Sequence, residues 1–194
     1  KLEAATARQL ALQHRAYANI ANNAAAAKRI LAAEARANAS LQRKINQLLD
    51  AQLNGGGIPS EYSGSFVWPL AGTITQEFGC TGFVWEPPLG NCRHFHTGID
   101  IADPLGTPIR AAADGKILYA GPLSDGAWVV IIAHSQHLLS LYGHVKTNIP
   151  VRAGQFVRQG QLIGYVGMTG HTTGPHLHWS VEIDRTWVNP RLFL

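Results

Sequence analysis

A single break divides this sequence into two stretches that obey different folding rules. Asn54-Gly55-Gly56-Gly57-Ile58-Pro59-Ser60 stops a helix twice over. Consecutive glycines lose the most backbone entropy on ordering, and Pro59 has neither the amide proton nor the free φ to continue a helical ladder. Before the break, residues 1–53 hold no glycine or proline and are roughly one third alanine, with Leu, Gln, Arg and Lys making up much of the rest. These are strong helix formers, so the spacing predicts one long helix over 1–53, a Gly-rich linker over 54–64 and a separate domain over 65–194.

Numbering a heptad from Leu10 puts Leu10, Tyr17, Ala24, Leu31, Asn38, Ile45 and Gln52 on one seam position, and Gln13, Ile20, Ala27, Glu34, Leu41 and Leu48 on the other. Polar Gln13, Glu34 and Asn38 interrupt that seam. The expectation is a weak or short coiled coil, or a helix whose partner segment lies upstream of Lys1. Charge is divided unevenly, because residues 1–53 hold eight Lys and Arg against three Asp and Glu, and residues 54–194 hold eight against nine. Attraction to anionic polymers or membrane surfaces and a plain solvated helix face both fit this basicity. Nucleic acid is not an expected partner, since no aromatic residues interleave the charges in a recognisable motif.

No run of eighteen apolar residues occurs, so no membrane span is expected in this chain. Lys1 as first residue, with Met168 the only methionine, reads as a processed or trimmed chain, and leaves open whether an export signal preceded it.

Beyond Pro59 the pattern turns to short β-type runs bounded by Gly, Pro, Asp and Asn: 73–76, 98–101, 116–120, 128–133, 138–142, 162–166 and 176–183. The fold class read from this is mainly β, an antiparallel sheet or half-barrel following the long helix. Cys80 and Cys92 sit in a Gly/Pro-rich stretch with no paired zinc-binding pattern around them. A disulfide is the preferred reading over two free thiols. It would be worth roughly 3 kcal/mol by loop-closure entropy and would place the protein in an oxidising, extracytoplasmic compartment.

Five of the nine histidines fall in two places, His94 and His96, then His171, His176 and His178. In His96-Thr97-Gly98-Ile99-Asp100 a glycine lets the backbone bend sharply between an imidazole and a carboxylate, so that both can reach one zinc ion. In Gly174-Pro175-His176-Leu177-His178-Trp179 the period of two sends both histidines to one face of a strand. One of them can bind metal while the other touches the water beside it, with His144 of Tyr142-Gly143-His144 as a third candidate. Single histidines are usually structural, but these motifs together in one β domain favour a hydrolytic metal site.

These segments resemble the lysostaphin-type, or LytM-type, zinc peptidases. The resemblance covers roughly residues 66–190 through His96-Thr97-Gly98-Ile99-Asp100-Ile101-Ala102, Leu141-Tyr142-Gly143-His144-Val145, the run 157–164 and the run 169–178. It implies a LytM-like peptidase domain with a groove, Zn2+ held by His96, Asp100 and His178, and catalysis by His144 and His176. Peptidoglycan, in its peptide stems or cross-bridges, is the implied substrate. All five residues are present, whereas related domains that have lost them act as activators of other cell-wall enzymes. The insertion from Cys80 to Cys92 and the helix fall outside the shared pattern. His94, His171, Tyr142 and Trp128 are candidates for lining the groove, while His14, His134 and His137 read as structural or solvated. Two other readings stand beside the enzyme: a cell-wall binding or scaffolding module with a structural zinc, and a hydrolase kept latent by the helix until it is moved.

Overall fold

Alternation along three neighbouring strands decides what each face of the sheet does. The structure, a computed structural model, describes residues 24–53 and 57–194. One helix, α1 (Ala24–Leu53), is followed by twelve strands. They are β1 (Thr73–Gln76), β2 (Gly79–Cys80), β3 (Phe95–His96), β4 (Ile99–Ala102), β5 (Pro108–Arg110), β6 (Gly115–Pro122), β7 (Trp128–Ala133), β8 (Leu138–Gly143), β9 (Phe156–Val157), β10 (Leu162–Tyr165), β11 (His176–Ile183) and β12 (Thr186–Val188). A short 3-10 helix, Pro190–Phe193, closes the chain.

All strand pairings are antiparallel. Eight strands form the main sheet in the order β1-β4-β11-β8-β7-β6-β9, with β12 paired to β11, while β10-β5 and β2-β3 form two small ribbons. Val130 and Ile132 of β7, Tyr142 of β8, and Leu177, Trp179 and Val181 of β11 point to one face. There they join Phe66, Ile109, Ala111, Val145 and Ile163 in the larger core. The residues between them turn to the opposite face, as a period of two requires.

On that opposite face, Leu118, Val129, Ile131, Leu139 and Leu141 form a second apolar cluster, covered by Ile45 and Leu49 of α1 with Leu41 and Leu48 beside them. Burying Ile45 and Leu49 contributes about 1.5–3 kcal/mol each relative to leaving them in water. The apolar stripe of the helix therefore finds its partner in the chain's own sheet, which answers part of the expected coiled-coil seam. Leu10, Gln13, Tyr17 and Ile20 of that seam lie outside the described residues. Polar ties flank the contact: Gln42 Nε2 donates to Glu182 at 3.1 Å, Arg185 pairs with Asp50 at 2.9 Å, and the Lys44 ammonium stands over the Tyr119 ring.

Cys80 and Cys92 form a disulfide, with Cα atoms 5.4 Å apart. Among the described residues, no helix is long and apolar enough to cross a membrane.

Candidate functional site

Strand β11 lies between β4 and β8, and its register sets His178 opposite Asp100 on one side and Gly143 on the other. Directly opposed residues share a face, so the imidazole and the carboxylate meet side by side. His96 arrives from β3, which is fixed by its pairing with Gly79 on β2. Three ligand-type atoms thus converge: His96 Nε2 to His178 Nδ1 is 3.0 Å, His96 Nε2 to Asp100 Oδ1 is 3.1 Å, and His178 Nδ1 to Asp100 Oδ1 is 2.9 Å. Tetrahedral zinc ligands at about 2.1 Å stand about 3.4 Å from one another, so this triangle needs to open only slightly to hold an ion. Two imidazoles and one carboxylate also form a zinc-type donor set.

Gly98 serves this triangle in two ways. It lies in the bend between β3 and β4, as the sequence led one to expect, and it allows close approach: a Cβ there would lie 2.6 Å from Ser180 Oγ, 2.6 Å from the Trp179 carbonyl oxygen and 2.9 Å from His178 Cε1. Any side chain at Gly98 would push directly on the His178 ring.

The outward nitrogens of the site histidines are each held. His96 Nδ1 donates to the Glu77 carbonyl at 3.1 Å, His144 Nδ1 to the Thr169 carbonyl at 2.8 Å, and His176 Nδ1 to the Gly174 carbonyl at 2.9 Å. A carbonyl oxygen can only accept, so in the neutral ring the proton sits on Nδ1 and the Nε2 lone pair faces the site. For His178 the outward atom is Nε2, 2.7 Å from Ser180 Oγ.

Electrostatics separates these groups. Burial works to depress the His96 pKa, but the adjoining Asp100 carboxylate, with help from Glu86 and the Glu77 carbonyl, raises it to about 9. Burial would raise Asp100, yet the charges of His96 and His176 and hydrogen bonds from His178 and His96 hold it well below the usual carboxylate range. His144 goes the other way. Burial, then repulsion from His176 and His178, pushes it down to about 3, so its ring is a neutral acceptor at neutral pH. Burial likewise lowers His178. The His144 and His176 ring centroids are 4.7 Å apart, and His144 holds a left-handed φ of 59°. Such a backbone is uncommon outside glycine and costs on the order of 1 kcal/mol, a pattern that clusters at functional sites.

A cavity opens over these side chains. Gln76, Phe83, Trp85 and Glu86 form one wall, with the last three inside the disulfide-closed loop; Leu123, Asp125 and Ala127 form another. His171, Thr172 and Thr173 lie near His176, and α1 contributes Ala37, Asn38 and Leu41. Of the four expected groove residues, His171 lines this cavity. Tyr142 is placed on the core side, its hydroxyl accepting from the Ala112 N–H at 2.8 Å and from Ser140 at 3.0 Å. Trp128 packs against the larger core, because the alternation of β7 gives Val129 the cavity side. His94 braces the disulfide loop, its Nδ1 donating to the Glu86 carbonyl at 2.7 Å. His134 is a buried structural group held by the Asp114 carbonyl and Ser140, and His137 pairs on the surface with Asp184. His14 lies outside the described residues. Sequence reasoning missed Ser180, although the same period of two that aligned His176 with His178 reaches it one step later.

Comparison with known proteins agrees with this geometry. The model of peptidase family M23 matches residues 94–190, a stretch that includes His96, Asp100, His144, His176 and His178. The chain is 40% identical over 136 residues to the DD-carboxypeptidase/endopeptidase Mpg of Neisseria meningitidis, covering 70% of this chain and 30% of that protein. It is 40% identical over 96 residues to the peptidoglycan DD-endopeptidase ShyC of Vibrio cholerae, covering 50% of this chain and 22% of that one. The chain thus spans less than a third of the length of these relatives. A solved zinc-containing peptidase from Vibrio cholerae superposes with a TM-score of 0.57 at 30% identity, over 65% of this chain and 39% of that one.

Proposed function

This chain belongs to peptidase family M23, and we propose that it is a zinc-dependent endopeptidase that hydrolyses peptide bonds of bacterial peptidoglycan, in the stem peptide or the cross-bridge. The observation that carries the reading is the convergence of His96 Nε2, Asp100 Oδ1 and His178 Nδ1 to within 3.1 Å of one another beside two further inward-facing imidazoles. Similarity to the peptidoglycan DD-endopeptidase supports the substrate class, and the disulfide supports an extracytoplasmic location.

His96, Asp100 and His178 would hold the ion, which when bound supplies a Lewis acid that polarises the scissile carbonyl and lowers the pKa of water. His144 and His176 sit alongside with Nε2 facing the site, since each Nδ1 is engaged by a carbonyl. One of the two accepts a proton at Nε2 from the attacking water as the new C–O bond forms. The other, carrying its own proton at Nε2 as an imidazolium, stabilises the oxyanion by hydrogen bonding or hands that proton to the departing amine as the C–N bond breaks. Burial and the neighbouring imidazoles lower the pKa of His144, which keeps its ring unprotonated at neutral pH.

The test is release of new amino groups from purified peptidoglycan of known chemistry, followed by mass spectrometry of the fragments. Hydrolysis that stops with a zinc chelator and returns on adding zinc is the expected result. Intact peptidoglycan at full zinc loading would instead favour a binding or scaffolding module.

A second reading, latency imposed by α1, is favoured by one observation: Ala37, Asn38 and Leu41 line the same cavity as the site histidines. Ile45→Asp combined with Leu49→Asp would release the helix from the sheet. A faster rate is expected if the helix restricts substrate entry, and an unchanged rate in a folded double variant removes the reading.

A further inference from the structure

We propose that Ser180 is a positioning residue for His178: its hydroxyl accepts the Nε2 proton of the ring and so keeps the Nδ1 lone pair aimed at the ion. This role rests on zinc occupying the His96, Asp100 and His178 donor set.

Four histidines face the site, and for three of them a carbonyl oxygen stands at the outward nitrogen and dictates the tautomer, joined at His176 by the Thr172 hydroxyl at 3.2 Å. His178 differs, because its outward nitrogen is met by a hydroxyl and no carbonyl, a partner able to accept or to donate. The difference matters because the inward atom, Nδ1, lies 2.9 Å from Asp100 Oδ1. With a proton on Nδ1, the ring would donate to that carboxylate and have no lone pair left for a metal. Ser180 offers the proton a place on the far side of the ring, 2.7 Å away. A rotatable hydroxyl at that spot follows either tautomer, so metal capture does not strand a buried N–H.

The surroundings leave this hydroxyl no easy substitute. Ser180 is 1% exposed, so bulk water cannot take its place. Across the ladder it faces Leu141, an apolar neighbour. The space it fills exists because Gly98 has no side chain, since a Cβ there would approach Ser180 Oγ to 2.6 Å. Partners that orient a metal-binding imidazole through its second nitrogen typically account for 10- to 100-fold in metal affinity.

The experiment compares zinc affinity, by competition with a chromophoric chelator, in the full chain and in Ser180→Ala and Glu182→Gln. Glu182 lies two residues further along the same face of β11 and controls for disturbance of the strand. Unfolding in the presence of a chelator checks that each variant is folded, and cobalt absorption reports ligand geometry. The expected result is zinc binding weakened about 10- to 100-fold in Ser180→Ala with an altered cobalt spectrum, and neither change in Glu182→Gln. Equal affinity in Ser180→Ala and the wild-type chain overturns the assignment, as does an equal loss in both variants. A wild-type chain that fails to bind one zinc, or whose binding survives His96→Ala, overturns the metal site itself and with it the role of Ser180.

Discussion

One face of the sheet is built in two regions whose backbones are alike and whose chemistry is opposite. Along β11 the residues on this face are His176, His178, Ser180 and Glu182, while the same face of β7 and β8 presents Val129, Ile131, Leu139 and Leu141. Register makes the contrast sharp, because Ser180 is paired with Leu141 and Glu182 with Leu139. His176, His178 and Ser180 open into a cavity whose edge Val129 and Leu141 share, while α1 covers the apolar cluster. A period of two therefore decides which side chains share a face, but the residue type at each place decides whether that face binds or is covered.

The largest test of this contrast removes the polar half's metal chemistry. His178→Ala should abolish both zinc binding and peptidoglycan hydrolysis, measured by chelator competition and amino-group release, while the apolar half keeps the variant folded. Next come His144→Ala and His176→Ala, each expected to keep zinc and lose about 10²- to 10⁴-fold in turnover. Full activity in both would remove them from the reaction.

On the apolar half, Ile45→Ala deletes a fully buried side chain from the helix-sheet contact. It should cost about 2–5 kcal/mol of stability in denaturant unfolding with zinc affinity unchanged.

The smallest expected effect is proton-linked and lies under both halves, in the larger core. Burial lowers His134 to about 4, despite the Asp114 carbonyl and charge that favour its proton. The unfolded chain, with an ordinary imidazole near 6.5, binds this proton more readily, so stability rises with pH across that interval. It should fall by up to about 3 kcal/mol as the pH drops from 6.5 to 4. His134→Gln, compared with the wild-type chain by denaturant unfolding at pH 7 and pH 5, should show a shallower loss. Equal slopes would mean the ring is protonated in the fold.

Much of this was legible because strong local signals and tertiary demands agreed. The runs 128–133 and 176–183 coincide with β7 and β11, since each is long enough to display its alternation and is bounded by turn residues. β2, β3, β5, β9 and β12 were not read, because two or three residues show no period. The helix was legible as far as it is described, but its partner was not, since a heptad seam says that a stripe must be buried without saying against what. Gly98 was legible as a bend between His96 and Asp100, but its close approach was not: its neighbours, His178 and Ser180, lie about 80 residues away and meet it only across the ladder. Tyr142 was offered for the groove although its neighbours Leu141 and Gly143 take that side, a parity that the sequence leaves undefined until the sheet's inside is known.

The docking of α1 on Val129, Ile131, Leu139 and Leu141 has a practical consequence for anyone who would harvest the β domain alone. Severed at the triple glycine, that domain would present a greasy strip immediately beside its histidine-lined cavity. Such a fragment should clump or cling to detergent, and its stickiness would be mistaken for substrate affinity unless the strip were first rewritten in polar residues.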